Sequence, residues 1–455
     1  MNHKQTIQRI QNTTVLAFGR VKIVLVISLS VLLSFTGCGL AQKIVASQVF
    51  GLEEEAALSA LTKPDTSVGT AEVEESGISA GTDEAESDSD SMNPLSVDER
   101  TNWRGDEILT DMSLQDKVAQ LFVVTPEALT GVNGVTMAGS MTEQAFDAYP
   151  VGGVIYMEQN LLSREQVSQM LSSMKQISMK RTGLPVFLAV DEEGGSVRRV
   201  SGHLEDTPYI PDMLSVGATQ DPLQAYQVGN TIGGYLNLLG FNVDFAPVAD
   251  VLTNPENTVI GTRSFGTDSG LVSEMVALEV QGLQEQGVCA TLKHFPGHGN
   301  TFEDSHQGIA VSYKTLDELQ NCELLPFKRG VDAGAEFVMA GHVAMPNITG
   351  DQTPASLSHQ MLTDILRGEL GFQGIIITDA LGMGAVSNVY DSSEAAALAF
   401  LAGADLLLMP ADFHSAYNGM LNAVQNGRIS QERLDESLRR IIRLKLRMMD
   451  QIMTA

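Results

Sequence analysis

The 455-residue sequence contains few cysteines and few basic residues. Three cysteines in a chain of this length exclude a disulfide-stabilised scaffold. Lys and Arg number 28 against 56 Asp and Glu, so the formal net charge is -28. This balance argues against nucleic acids and anionic membrane surfaces as partners, because both need basic patches. An anionic ligand would have to be met by cations placed locally.

The first part of the chain has no acidic residue before Glu53. Basic residues precede an apolar run at 23–33, which suits a signal-peptide core and is too short to span a membrane comfortably. The segment 34–38 then reads S-F-T-G-C and resembles a bacterial lipobox, although phenylalanine stands where leucine is usual. We therefore expect residues 1–38 to be a lipoprotein signal, with Cys38 lipidated and the protein anchored outside the cytoplasmic membrane. A plain signal peptide or an uncleaved anchor is the alternative.

Residues 39–96 are predicted to be a disordered, acidic linker. Positions 51–92 hold twelve acidic residues against one base, Lys63, and no aromatic residue. Such a segment buries too little apolar surface to offset its ordering entropy. We expect it to act as a spacer and to carry no chemistry.

From Val97 to Ala455 the composition becomes globular, and apolar β-rich runs alternate with amphipathic helical stretches. The runs are Leu121–Val124, Val151–Tyr156, Pro185–Val190, Phe241–Val248, Val288–Leu292, Phe337–Ala340, Gly374–Thr378 and Ala404–Met409. The helical stretches include Ser163–Lys180, Leu271–Gln286, Thr315–Asp332, Ser358–Glu369 and Ser392–Ala402. Eight such units predict an α/β fold, a single (β/α)8 TIM-type barrel.

A final helix is predicted over Ser430–Ile452, with Ser430 as its N-cap. Its basic face is interpreted as solvated surface rather than as a binding site. The residues concerned are Arg439, Arg440, Arg443, Lys445 and Arg447.

The segment 293–306, K-H-F-P-G-H-G-N-T-F-E-D-S-H, follows the fifth run and is predicted to be mostly loop, because glycine and proline interrupt it. Asp304 and His306 are two residues apart, so in an extended segment a carboxylate could hold one imidazole nitrogen and leave the other free for proton transfer. An ordinary turn pair or a metal site are the alternatives. The sequence favours a metal site less, because the spacing of the His and Asp residues in this segment provides no pair of ligands one helical turn apart.

Polar residues follow five consecutive predicted strands, where a barrel keeps its active groups. They are Asp191 after the third strand, Asp250 and Arg263 after the fourth, Lys293 and His294 after the fifth, His342 after the sixth and Asp379 after the seventh. Taken singly, each could cap a helix or face solvent, but together they predict one active site. Fixed carboxylates and a polar loop suit sugar chemistry, with Asp379 as nucleophile and His306, supported by Asp304, as acid/base.

Several motifs between about residues 100 and 450 resemble those of glycoside hydrolase family 3, in its single-barrel β-N-acetylglucosaminidase branch. They are D-E-E-G-G-S-V-R-R (191–199), A-P-V-A-D (246–250), R-S-F-G (263–266), K-H-F-P-G-H-G (293–299), D-S-H (304–306) and T-D-A-L-G-M (378–383). The K-H-F-P-G-H-G element followed by D-S-H is the most specific. The resemblance implies hydrolysis of terminal β-linked N-acetylglucosamine, with peptidoglycan fragments or chitooligosaccharides as substrates and no cofactor or metal. We expect a monomer.

The resemblance also implies roles for individual residues. Asp379 matches the family nucleophile, His306 its acid/base and Asp304 the partner of that histidine. The residues matching those that hold the sugar are Asp191, Arg263, Lys293 and His294, with Arg199 or Arg198 as a less secure contact. His298 is interpreted as a loop-folding residue, and His342 and Asp250 as groups that lie behind those contacting the sugar and support them. A β-glucosidase, an N-acetylglucosaminide phosphorylase and a non-catalytic muropeptide-binding lipoprotein remain as alternatives.

Overall fold

A computed structural model of the chain describes residues 97–302 and 304–454. The predicted signal at 1–38, its Cys38 and the linker at 39–96 lie outside these residues. Within the described ranges, no helix has both the length and the apolar character that crossing a membrane requires.

Eight parallel strands form one closed ring, which confirms the predicted barrel. The ring strands are β1 (Phe122–Val124), β2 (Gly153–Ile155), β3 (Phe187–Val190), β6 (Val243–Asp244), β7 (Cys289–Phe295), β9 (Phe337–Ala340), β11 (Ile375–Thr378) and β12 (Leu407–Leu408). Their order around the ring is β11-β9-β7-β6-β3-β2-β1-β12, and a bridge between Ile377 and Leu406 joins the last strand to the first. Each lies within or overlaps one of the eight predicted apolar runs.

Four further short strands lie outside the ring, in the loops at its carboxyl end. They are β4 (Glu192–Gly194), β5 (Val197–Arg198), β8 (Ala310–Val311) and β10 (Val343–Ala344). β4 pairs antiparallel with β5, and β8 pairs parallel with β10. These small pairs stabilise the loops that carry the candidate site.

Helices surround the ring, as a parallel sheet buried on both faces requires. They are α1 (Val97–Asp111), α2 (Leu114–Ala119), α3 (Pro126–Thr130), α4 (Ser140–Ala148), α5 (Arg164–Thr182), α6 (Met213–Gly217), α7 (Pro222–Leu239), α8 (Ser269–Glu285), α9 (Leu316–Gln320), α10 (Leu324–Asp332), α11 (Pro346–Thr349), α12 (Gly384–Ser387), α13 (Ser392–Ala402), α14 (Phe413–Gln425) and α15 (Gln431–Thr454), with a π-helix at Gln360–Glu369 and 3-10 turns at Glu158–Asn160, Gly261–Arg263 and Ala355–Leu357.

Two helical predictions need correction. The stretch predicted as one helix over Thr315–Asp332 is divided into α9 and α10. Pro326 stands in the first turn of α10, where its missing N–H leaves no hydrogen bond unmade, so it suits the start of a new helix. The predicted α-helix at Ser358–Glu369 is a π-helix that begins at Gln360.

The last helix is confirmed, but its basic residues are not all solvated. Ser430 accepts a hydrogen bond from the Arg433 N–H at 3.2 Å, as its predicted capping role requires. Lys445 is 1% exposed, and its ammonium donates to Gln120 Oε1 and lies 4.9 Å from the centre of the Phe187 ring. Burial without a carboxylate partner lowers the pKa of Lys445 to about 7. The sequence pattern alone gave no sign that this position faces the core.

Candidate active site

A cavity of about 770 Å3 opens at the carboxyl ends of the barrel strands. Of the site residues predicted from the sequence, those that line it are Asp191, Arg199, Arg263, Lys293, His294, His306 and Asp379. Asp304 does not line the cavity but contacts His306. The structure therefore brings the residues predicted from separate strands and loops into one place.

Lys293 and His294 both reach the cavity although they are adjacent in β7. In a regular strand, neighbouring side chains point to opposite faces. Here the pairing of β7 with β9 shifts register between Leu292 and Phe295, so the regular alternation is interrupted at these two residues. The strand itself continues to Phe295, so the first three residues of the segment 293–306, which is predicted to be mostly loop, belong to β7.

A buried carboxylate, Glu193, organises the cationic side of the cavity. Its Oε2 and Oε1 accept hydrogen bonds from Arg263 Nε and Nη2, both at 2.8 Å. Its Oε1 also lies 2.6 Å from Lys293 Nζ. Burial alone would raise the pKa of Glu193, but the two cations outweigh it and hold that pKa far below its ordinary value. Lys293 also donates to Asp191 Oδ1 at 2.8 Å. The pair of carboxylates outweighs burial and raises the pKa of Lys293, which stays charged.

Glu193 is not among the site residues predicted from the sequence. The available signal was its spacing from Asp191, since residues two apart after a strand can share one side. The buried Lys293 and the partly buried Arg263 also needed a counter-charge, and Glu193 supplies it.

Asp250 fixes the orientation of His294. Its Oδ2 lies 2.8 Å from His294 Nδ1, and its Oδ1 accepts the backbone N–H of His298 at 2.7 Å. Because Asp250 can only accept, His294 Nδ1 carries the proton in this pair, and its Nε2 faces Arg263 Nη2 at 3.4 Å. The role predicted for Asp250, as a group behind those that line the cavity, agrees with this geometry.

Asp379 follows β11 and is partly buried at the cavity wall. Its backbone N–H donates to Ala340 O, and its Oδ1 accepts the Ala380 N–H at 2.7 Å. Burial alone would raise the pKa of Asp379. His342, His294, the Ala380 N–H and Lys293 outweigh that effect and hold the pKa below its ordinary value. The carboxylate is therefore ionised at neutral pH and fixed in position.

His342 supports this region from behind. It is fully buried, its Nδ1 lies 2.7 Å from Ser356 Oγ, and its Nε2 lies 3.0 Å from Ala380 O. A carbonyl accepts only, so Nε2 carries a proton in this bond. The contact holds the backbone next to Asp379, in line with the indirect role predicted for His342.

His306 and Asp304 form the predicted dyad on an exposed loop. Asp304 Oδ1 lies 2.7 Å from His306 Nδ1 and accepts the His306 backbone N–H at 2.9 Å. Partial burial would raise the pKa of Asp304, but these hydrogen bonds outweigh it and lower the pKa. Since Nδ1 is held by the carboxylate, Nε2 is the ring nitrogen available for proton transfer at the cavity.

The loop is held from both sides. His298 Nδ1 lies 2.8 Å from Thr301 Oγ1, and its Nε2 lies 3.1 Å from Ser305 Oγ, so His298 has the loop-folding position predicted for it. On the other side, Gly384 and Ala385 at the start of α12 donate their N–H groups to the carbonyls of His306 and Ser305, each at 3.2 Å. The dyad is thereby docked onto the segment that follows Asp379.

Replacing Gly384 by Ala should loosen this docking. A Cβ at Gly384 would lie 2.8 Å from His306 O and 2.9 Å from Gln307 O, closer than real Cβ atoms approach. We expect the backbone amides of residues 384 and 385 to exchange hydrogen about tenfold faster, since the acceptor carbonyls must move away. Gly308→Ala is the matched control, because a Cβ there meets no heavy atom within 4 Å. Equal exchange in both variants would contradict the docking.

Two further residues complete the comparison with the sequence. Arg199 lines the cavity and contacts Glu158 Oε2 at 3.2 Å, whereas Arg198 lies over the Tyr209 ring at 5.8 Å and does not line the cavity.

Among residues 97–302 and 304–454, no group of three or more His, Cys, Asp or Glu side chains is placed to hold a metal ion.

Comparison with known proteins gives consistent matches. Residues 113–444 match the model described as Glycosyl hydrolase family 3 N terminal domain. Beta-hexosaminidase from Stenotrophomonas maltophilia (strain K279a) is 38% identical over 52% of this chain and 69% of its own. Beta-hexosaminidase A from Pseudoalteromonas piscicida is 34% identical over 66% of this chain and 54% of its own length.

A solved structure gives the same picture. The glycoside hydrolase family 3 beta-N-acetylglucosaminidase from Paenibacillus sp. str. FPU-7 superposes with a TM-score of 0.70 at 37% identity, covering 75% of this chain and 63% of the other. The chain thus spans between about half and two thirds of the length of these relatives.

Proposed function

The chain belongs to glycosyl hydrolase family 3, and from that membership we propose that it is a retaining exo-β-N-acetylglucosaminidase. The observation that carries the proposal is the pairing, at one cavity, of an ionised and fixed Asp379 with the His306–Asp304 dyad. The relatives named above as beta-hexosaminidases and a beta-N-acetylglucosaminidase support the same reaction.

In the first step, the Asp379 carboxylate attacks the anomeric carbon while His306 Nε2–H protonates the departing glycosidic oxygen. The products are a covalent glycosyl–Asp379 ester and the released alcohol, and His306 is left neutral. In the second step, His306 removes a proton from water, which attacks the anomeric carbon and frees Asp379. Asp304 holds Nδ1–H in both steps and stabilises the imidazolium, while leaving Nε2 to exchange the proton.

The sugar would be held by the charged network that lines the same cavity. Asp191, Lys293, Arg263 and His294 offer acceptors and donors that suit hydroxyl groups, and their mutual hydrogen bonds fix them before substrate enters. A preorganised site loses less entropy on binding than one whose side chains must order. Arg199, which lines the cavity and is paired with Glu158, would add a further contact to the substrate.

We propose peptidoglycan fragments or chitooligosaccharides as the substrate class. The support is the beta-N-acetylglucosaminidase relative and the family motifs, which concern the N-acetylglucosamine unit rather than what is attached to it.

The site of action that we propose is the outer face of the bacterial cytoplasmic membrane. The support is the basic and apolar N-terminal stretch that ends at Cys38. Expressed in a bacterium, the full chain should fractionate with membranes, and Cys38→Ser should move it to the soluble fraction. Membrane association that is unchanged by Cys38→Ser would argue for an uncleaved anchor instead.

The experiment that tests the reaction is release of an aryl group from aryl β-N-acetylglucosaminide by the full chain, with aryl β-glucoside as the matched substrate. We expect turnover of the N-acetylglucosaminide, little of the glucoside, and no effect of EDTA.

A neutral histidine base repels an incoming anion less than a carboxylate does, so phosphate is added in a parallel reaction. Sugar 1-phosphate as the main product would replace hydrolysis by phosphorolysis, and no turnover of either sugar would leave a binding protein.

A further inference from the structure

A second cavity, of about 550 Å3, lies at the opposite end of the barrel from the candidate active site. Glu336 and Gly374, which immediately precede β9 and β11, contribute to its wall, together with Thr101 of α1. Because all ring strands are parallel, these positions mark the amino-terminal end of the barrel. Its size falls within the range usual for small-molecule sites.

Three arginines of α15 line this second cavity, which we call the basic cavity. Arg440, Arg443 and Arg447 are spaced so that they share one helix face, and Glu336 is the carboxylate among the lining residues. Like charges at this spacing repel one another unless an anion lies between them. Such a cluster is unexpected in a chain with twice as many acidic as basic residues.

Of the three guanidinium groups, that of Arg440 is paired with Asp405 and Glu436, whereas that of Arg443 is unused by the described part of the chain. Arg443 is exposed and makes no hydrogen bond or ion pair with the described residues. Arg447 contacts Glu336 Oε2 at 2.9 Å. Burial raises the pKa of Glu336, while Arg447 opposes that rise.

The cavity is also built on fixed supports. Asp405 is fully buried and forms ion pairs with Arg440, at 3.0 Å, and with Arg367. Arg367 donates to the carbonyls of Phe372 and Gly374 in the facing wall and lies over the Phe372 ring. Both walls are therefore held by one buried charge network, which keeps Arg440 and its neighbours in place.

We propose that the basic cavity is a binding site for a phosphate ester, distinct from the candidate active site. Guanidinium forks match the oxygens of a phosphoryl group and form charge-assisted hydrogen bonds with them. Arg443 would supply unused donors, and Arg440 and Arg447 would add charge on either side. The cavity is large enough for the alcohol part of the ester to lie against the segment 371–374.

The test is calorimetric titration of the full chain with inorganic phosphate, in buffers of equal ionic strength. Saturable binding is expected in the wild type. Arg443→Gln should weaken it at least about tenfold, the usual scale for losing charge-assisted hydrogen bonds. Arg104→Gln, an exposed arginine of α1 outside the cavity lining, is the matched control and should bind as the wild type does.

A second variant should increase the affinity for phosphate, a result that misfolding cannot produce. Glu336→Gln removes the competing carboxylate and frees Arg447, so phosphate should bind at least about threefold more tightly. Saturating N-acetylglucosamine should leave this binding unchanged, because it would occupy the other end of the barrel. Binding that is unaffected by Arg443→Gln, or that N-acetylglucosamine displaces, would overturn the proposal. Hydrolytic turnover should be the same in all these variants.

The source of the phosphoryl group is separated by two soluble esters. Glycerol 3-phosphate is a monoester, and glycerophosphoglycerol is a diester like those of lipid headgroups and cell-wall polymers. Arg443-dependent binding of the diester identifies a headgroup or polymer. Binding of the monoester alone identifies a free phosphorylated metabolite.

Discussion

Asp379→Ala should lower turnover of aryl β-N-acetylglucosaminide by at least about 10⁴-fold, because it removes the carboxylate that forms the covalent intermediate. The other described carboxylates that line the cavity, Asp191 and Glu193, are both held in ion pairs with Lys293. Folding should be little affected. The Asp379 side chain accepts one backbone hydrogen bond, from Ala380, and its own N–H bond to Ala340 O survives the change. Melting temperature and turnover measured on the same sample separate the two effects.

Two additions sharpen this test. Azide is small enough to enter the space left by the carboxylate, so it should restore turnover of activated substrates and give a glycosyl azide of inverted configuration. Asp364→Ala is the matched control, since Asp364 is an exposed carboxylate beside a histidine, His359, outside the cavity. Near-normal turnover in Asp379→Ala without azide would remove Asp379 from the nucleophile role.

His306→Ala should act selectively according to the leaving group. For disaccharide substrates, whose leaving alcohol needs a proton, we expect a loss of about 10²- to 10⁴-fold. For aryl substrates with acidic phenols the first step should be nearly unchanged, because such groups depart without protonation. The measurement is kcat/KM for a series of aryl substrates that differ in the leaving phenol. These values should depend more steeply on the pKa of the phenol in His306→Ala than in the wild type.

The dyad offers its own controls. Asp304→Asn should produce the same selectivity to a smaller extent, since the amide can accept the Nδ1–H bond but does not stabilise the imidazolium. His359→Ala removes an exposed histidine that also contacts an aspartate, at 3.6 Å, and should change nothing. Equal losses on all leaving groups in His306→Ala would mean that the residue positions substrate instead.

The sequence predicts the barrel and the cavity well because both depend on local patterns. An apolar run identifies a buried strand, and the residue that follows it, such as Asp191 or Asp379, must then lie at the common end of a parallel ring. Glu193 was missed because its importance depends on Arg263, 70 positions away, and on Lys293, which no periodicity connects to it. Lys445 and Arg440 were interpreted as solvated for the same reason, since their partners Gln120 and Asp405 come from distant parts of the chain.

The ring also has a consequence for the growing polypeptide. β1 is made first, yet one of its two neighbours is β12, with Phe122 paired to Leu407 and Val123 to Leu408. Until the last β/α unit leaves the ribosome, that edge of β1 has no partner, and β11, which leads into Asp379, lacks its neighbour β12. An unpaired strand edge is a template for association with other chains. The nascent chain therefore needs protection from aggregation throughout the synthesis of almost the whole barrel.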